Sequence, residues 1–217
     1  MPPILFQDER FVVLDKPAGL PVHAGPKGGG SVEDFFPALS RRRTGPWLAH
    51  RLDADTSGCL VVALRRAALL DAQAAFTEGR AEKTYWAVVD GGPAGDAGTI
   101  DLALSKTSSR SGWRMVADPS GQRAVTDWHV LARDASHSWL ELRPRTGRTH
   151  QIRVHCAQLG CPISGDPVYG RARSDGHLQL LARRIRLEMR PELAAVAPPP
   201  AHMQVMLDAV FGVQVAP

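Results

Sequence analysis

Apolar residues in this chain fall into short blocks, each closed by turn-forming residues. Phe11-Val12-Val13-Leu14-Asp15 is nearly continuous and is stopped by Pro17-Ala18-Gly19, which predicts a buried strand over 11–15 and a turn. Cys59 to Leu64 is a second such run and predicts a strand over 59–64. Between them, Gly-Pro-Lys-Gly-Gly-Gly at 25–30 predicts a mobile linker, because no Gly-Lys-Ser/Thr follows to make a phosphate loop. Ser31 suits the N-cap of a helix ending near Leu39. Residues 66–78, rich in Ala, Leu and Gln, predict a helix with Gly79 as C-cap.

The second half repeats the mixture. Residues 83–89 predict a strand and 91–98 a glycine-rich turn. Residues 105–123 are polar, carry Lys106, Arg110, Arg114 and Arg123, and predict a surface loop or loose hairpin that could touch an anionic partner. The alternation at 124–130 and 138–143 predicts two antiparallel strands. Thr149 is placed to cap a helix over 150–159, with Ile152, Cys156 and Leu159 as its apolar face and Gly160 at its end. A strand over 178–187 and a helix over 202–211 follow, the latter after Pro198-Pro199-Pro200. Short strands with dispersed helices and no repeat predict an α+β fold with a largely antiparallel sheet.

Composition narrows the class. The chain has 217 residues, 44% of them hydrophobic, enough for a sizeable core and for one catalytic domain over 1–217. The net charge is +4 and the pI about 9.3, a mild basic excess compatible with an anionic partner. Of 26 basic residues 22 are Arg, which suits planar contacts to phosphate and bases but equally suits a GC-rich coding sequence. Nine Arg against three acids lie between Glu141 and Arg186, and Arg41-Arg42-Arg43 forms a triplet. Three cysteines in no zinc-like spacing read as small buried thiols, not as a metal site or disulfide framework. The first ten residues do not read as a signal peptide, and no run approaches the ~20 apolar residues of a membrane span. A soluble, cytoplasmic monomer is expected.

The densest chemistry is His50-Arg51-Leu52-Asp53-Ala54-Asp55-Thr56-Ser57-Gly58, directly before the second apolar run. Charges so close to a buried strand need a reason, since an unpaired buried charge is costly. A carboxylate held by a rigid strand at the mouth of a cleft is one; a loop cap or surface salt bridge is the other. This stretch resembles the HRLDxxTSG signature of the RluA-type RNA pseudouridine synthases. Lys83-Thr84-Tyr85-Trp86-Ala87-Val88-Val89 resembles the family's KxYxAxV motif, and Gly147-Arg148-Thr149-His150-Gln151-Ile152-Arg153-Val154-His155 its GRTHQxRxH motif. Val13 to Leu20 and Pro162 to Gly170 resemble the flanking segments, in family order.

The resemblance implies a mixed sheet around a central cleft and the isomerisation of uridine to pseudouridine in tRNA, 23S rRNA or both, with no metal and no cofactor. It implies no room for the N-terminal RNA-binding domain of many relatives. The N1–C1′ bond breaks and a C5–C1′ bond forms, so a nucleophile must hold the intermediate, and a carboxylate suits an anomeric carbon. The resemblance assigns this to Asp53, and leaves open whether the sugar or the ring is attacked. Asp55 reads as structural. Arg153 is the expected partner that keeps a carboxylate ionised, with a phosphate contact or a solvated helix arginine as the alternative. Tyr85 is the expected platform for a flipped uracil and aid to proton transfer, with a core tyrosine as the alternative. Trp86 must point to the opposite face of the same strand. Arg51 would fill the space of the extruded nucleotide. His50, Arg148 and Arg41, Arg42 and Arg43 complete the expected RNA contacts, His50 with a structural bias. Leu180 resembles a family leucine beneath the site, while Leu181 departs from the His of many relatives. The rival readings are a non-catalytic RNA-binding module and an N-glycosidase releasing free base.

Overall fold

The computed structural model describes residues 1–25, 28–40, 44–109, 112–170 and 176–215. The chain divides into two compact units, Met1–Lys83 with Leu181–Pro200, and Thr84–Leu180 with Ala201–Ala216. Both are α+β. Arg41, Arg42 and Arg43 lie outside the described residues, as does part of the 25–30 linker.

In the first unit the two apolar runs pair. Strand β1 (Ile4–Gln7) lies antiparallel to β2 (Phe11–Lys16), and β2 antiparallel to β4 (Ser57–Ala63), with Asp15 opposite Cys59 and Lys16 opposite Gly58. A two-residue strand β3 (Trp47–Leu48) also pairs with β4. Strand β11 (Leu180–Leu187) runs parallel to β4, Leu181 facing Ser57, and carries β12 (Leu193–Val196) antiparallel. Every residue of β4 is buried, as a run without alternation requires. The strand starts at Ser57, two residues before the expected 59, because Gly58 enters it. Gly58 has φ 105° and lies so close to the Ala182 carbonyl that a Cβ would overlap it. Ser31 caps a 3-10 turn (Val32–Phe35) in a capping box with Asp34, leading into the short α1 (Phe36–Leu39). Helix α2 (Arg66–Thr77) ends before Gly79, at φ 73°.

In the second unit β5 (Ala81–Asp90) continues out of the first and pairs antiparallel with β10 (His137–Pro144). Beyond β10 come β9 (Val125–Arg133) and β6 (Ala97–Asp101), also antiparallel. Strand β6 occupies part of the expected 91–98 turn; only Ile100 of it is buried, so no apolar pattern announced it. The basic segment forms a hairpin of β7 (Leu104–Ser109) and β8 (Gly112–Ala117). Helix α3 (Gln151–Gln158) packs on the sheet face carrying Ala87, Leu140 and Leu142, through Ile152 and Cys156. Helix α4 (Ala201–Phe211) reaches Trp139, whose ring stacks on Phe211. Among the described residues no helix is long and apolar enough to cross a membrane.

One expectation about α3 needs correction. The N-cap is His150, not Thr149, because Arg148 to Gln151 closes a turn in which His150 takes a left-handed φ of 52°. Ile152, Cys156 and Leu159 do share one apolar cluster, and burial extends beyond that face to Gln151, Arg153 and His155.

Candidate active site

Asp53 sits half-buried in the loop entering β4. Its own carbonyl accepts the Thr56 N–H at 3.2 Å, closing the turn that launches the strand. The next carbonyl, of Ala54, is bonded twice: by the Gly19 N–H at 2.9 Å and by Lys16 Nζ at 2.7 Å. The Pro17–Leu20 turn is therefore the cradle of the Asp53 loop, which gives the first flanking segment a physical purpose.

Lys16 is the key to that cradle, and no sequence argument singled it out. It is 0% exposed, and its ammonium donates to the carbonyls of Pro17 at 2.9 Å, Leu20 at 2.8 Å and Ala54. Three donors meet three acceptors, the condition under which a buried ammonium is tolerated. Burial pushes its pKa down to about 8, against the opposing pull of the Asp55 and Asp53 carboxylates. The signal was available: a lysine ending an otherwise buried strand must find partners.

His50 is placed as a support. Its Nε2 accepts the Val61 N–H at 3.1 Å, so the ring proton is on Nδ1, and the ring lies 5.3 Å from Phe76. Desolvation and the Lys83 charge lower its pKa to about 4, against a backbone bond at Arg51, so it is neutral near pH 7. Arg51 is exposed and Leu52 buried, as alternation in the motif anticipates.

In the second unit Arg153 is 3% exposed. Asp166 grips one edge of its guanidinium, Oδ2 on Nε and Oδ1 on Nη2, both at 2.8 Å. Asp166 Oδ1 also accepts the N–H groups of Val168 at 2.8 Å and Tyr169 at 3.0 Å. Burial alone would raise the Asp166 carboxyl; the bonds and charge of Arg153 and the two backbone donors outweigh it and hold it below the usual carboxylate range. Arg153 is therefore neither a solvated helix arginine nor loosely held, and the Tyr169 ring lies 5.3 Å from its guanidinium carbon.

The rest of the third motif secures α3. Gln151 uses both ends: Oε1 accepts from Thr146 Oγ1 at 2.7 Å and the Arg148 N–H at 3.0 Å, and Nε2 donates to the Val125 carbonyl and Thr126 Oγ1, both at 3.0 Å. His155 is fully buried, with Nδ1 on Thr126 Oγ1 at 2.9 Å and Nε2 on the Leu102 carbonyl at 3.2 Å. Arg148 is exposed, and its Nε donates to the Arg123 carbonyl at 3.1 Å. Gln151, His155, Asp166 and Tyr169 all stood in the recognised segments with no role assigned, because each has partners distant in sequence: Val125, Thr126, Arg153 and Met115.

Tyr85 stands on β5 opposite Leu142, half-buried, on the face against which α3 packs. Trp86 faces the other way, edge-on to Trp139 at 4.8 Å. Leu180 is 3% exposed in the same apolar cluster as Ile152 and Ile163. All three cysteines are buried; burial pushes the thiol of Cys59 up to about 12 and that of Cys161 up to about 11, and raises Cys156 as well. Among the described residues no group of His, Cys, Asp and Glu could hold a metal ion.

Against known proteins, a family model described as RNA pseudouridylate synthase matches residues 10–158. An uncharacterized RNA pseudouridine synthase of Zymomonas mobilis is 44% identical over 205 residues, covering 91% of this chain and 93% of the relative. The ribosomal large subunit pseudouridine synthase D of the same organism is 38% identical over 192 residues, covering 82% of this chain and 60% of the relative. Among solved structures, human RNA pseudouridylate synthase domain containing 4 superposes with a TM-score of 0.80 at 30% identity, over 94% of this chain and 91% of that one.

Proposed function

This chain belongs to the RNA pseudouridylate synthase family, isomerases that convert uridine to pseudouridine in RNA, and we propose that it modifies specific uridines of large-subunit rRNA or tRNA with Asp53 as nucleophile. The rRNA assignment is supported by the similarity to a ribosomal large subunit synthase. In this reading the target nucleotide is flipped out of its stem and Arg51 fills the gap. Asp53 adds to the sugar carbon or to the ring as the N1–C1′ bond breaks. The detached base turns, C5 bonds to C1′, the bond to Asp53 breaks and returns its electron pair to the carboxylate, and the proton leaving C5 is balanced by the one gained at N1. Tyr85 supplies the stacking face and a hydroxyl for that transfer. Arg153 serves as the cationic partner of the nucleophile, and Arg148 with the Arg41 to Arg43 triplet contacts the backbone. The protein works as a monomeric single catalytic domain in the cytoplasm.

The observation that carries this reading is the loop. Asp53 stands on a backbone fixed by a fully buried lysine and two closed turns, the rigidity that a nucleophile aimed at one atom requires. The test uses total RNA from cells lacking the gene, incubated with the protein, with pseudouridines then mapped. New pseudouridine at discrete sites and no free uracil is expected. Free uracil would make the protein an N-glycosidase, and neither product would make it a binding module.

A further inference from the structure

We propose that Tyr169 is a positioning residue that couples the β7–β8 hairpin to the Arg153 guanidinium, so that RNA held by the hairpin tightens the catalytic end of α3. This rests on the reading that the protein acts on RNA.

Tyr169 touches four parts of the second unit. Its phenol oxygen accepts the Met115 N–H of β8 at 3.0 Å. The same oxygen bonds His150 Nδ1 at 2.8 Å. Its ring lies 5.3 Å from the Arg153 guanidinium carbon, within cation–π range. Its backbone N–H donates to Asp166 Oδ1, the oxygen that also takes Arg153 Nη2. One residue thus joins the hairpin, the turn before α3, the arginine and the arginine's carboxylate, the first three through its side chain and the last through its backbone. A phenylalanine here would keep the ring beside Arg153 and lose both bonds of the oxygen.

The turn is the sensitive member. His150 has φ 52°, and among the described residues it alone of the non-glycines has a positive φ. Such a conformation persists where its surroundings over-determine it. Here the Trp113 ring stacks on the imidazole at 5.1 Å and 24°, and Tyr169 meets it edge-on at 5.6 Å. Both of these groups that hold His150, Trp113 and the Met115-bound phenol, therefore depend on where β8 lies. His150 is also the N-cap of α3, three residues before Arg153.

The exposed groups of the hairpin suit nucleic acid. Trp113 is 45% exposed, with Lys106 Nζ 4.7 Å from its ring centroid, and Arg114, on the opposite face of β8, is exposed. Such cations take phosphates by charge, and the exposed edge of the indole adds apolar contact to a base. A hairpin steadied by RNA steadies His150 and Tyr169, and Tyr169 steadies Arg153 and Asp166.

The test measures single-turnover pseudouridine formation on total RNA from cells lacking the gene, across an enzyme titration, with melting temperature recorded for each variant. Tyr169→Phe is expected to lower the plateau rate at least tenfold while leaving the half-saturating enzyme concentration within twofold. Trp113→Ala slows the wild-type protein, but added to Tyr169→Phe it lowers the plateau by less than a further twofold, because the link it acts through is already cut. His150→Asn, which tolerates the left-handed turn and lacks the imidazole, reproduces the Tyr169→Phe defect. Plateau rates within twofold of wild type for both Tyr169→Phe and His150→Asn overturn the proposal. So do effects of Trp113→Ala and Tyr169→Phe that multiply independently, or a defect that tracks only a lowered melting temperature. If the wild-type protein itself forms no pseudouridine, the RNA reading has failed, and that is distinguishable from failure of the coupling.

Discussion

Asp53 stands on a loop whose described ties are backbone carbonyls and one buried ammonium, whereas Arg153 is gripped at its own guanidinium by a carboxylate. In the first region the described support holds the backbone at and just after the functional residue. In the second the described support is a bond to the functional group itself. These two supports differ in what a substitution disturbs. Changing the Asp53 side chain leaves the Ala54 anchorage in place. Changing either member of the Arg153–Asp166 pair leaves a charge stranded where neither side chain is more than 3% exposed.

The strongest way to break this comparison is Asp166→Ala. Removing one partner of a buried pair is expected to destabilise by about 3–5 kcal/mol, read from urea unfolding. A change below about 1 kcal/mol would mean that Arg153 finds equivalent support elsewhere and that the two regions are not held differently.

Lys16→Met probes the other side. It keeps the stem and strands the carbonyls of Pro17, Leu20 and Ala54, with an expected loss of about 2 kcal/mol and a fall in activity, because the Asp53 loop loses its lower anchor. Stability lost with full activity at low temperature would show that the loop is held by its turns alone.

The smallest effect at neutral pH is that of His50, which shows only in the pH profile. His50 is held to a pKa of about 4 against 6.5 for an ordinary histidine. Between those values the unfolded chain binds a proton that the folded chain does not, so stability falls as pH drops from 6.5 towards 4. In His50→Gln the slope of stability against pH in that window should be shallower by about 1 kcal/mol per pH unit, seen by urea unfolding at several pH values. An unchanged slope would place the acid sensitivity elsewhere than beneath the Asp53 loop.

The same contrast governs what the chain made legible. The Phe11 and Cys59 runs, and α2 with its terminal glycine, could be read because burial and local chemistry agree there. The position of Asp53 before a buried strand could be read for the same reason. The need of Lys16 for partners could be read from its place at the end of a buried strand, but not its bond to Ala54, 38 residues away, nor the bond of Asp166 to an arginine 13 residues away. Thr149 looked like a helix cap because its type favours that role, yet the turn around His150 displaced the cap by one residue. Strand β6 was invisible because an edge with a single buried residue has no apolar period.

The central claim is that Asp53 performs the covalent step. Asp53→Asn is nearly isosteric, leaves the Lys16 and Gly19 bonds to Ala54 intact, and replaces the carboxylate by a poor nucleophile. Single-turnover pseudouridine formation on total RNA from cells lacking the gene should fall below detection, while RNA binding stays within a few-fold of wild type. If the Asn variant keeps a tenth or more of the wild-type rate, Asp53 is not the nucleophile and the account is wrong at its centre.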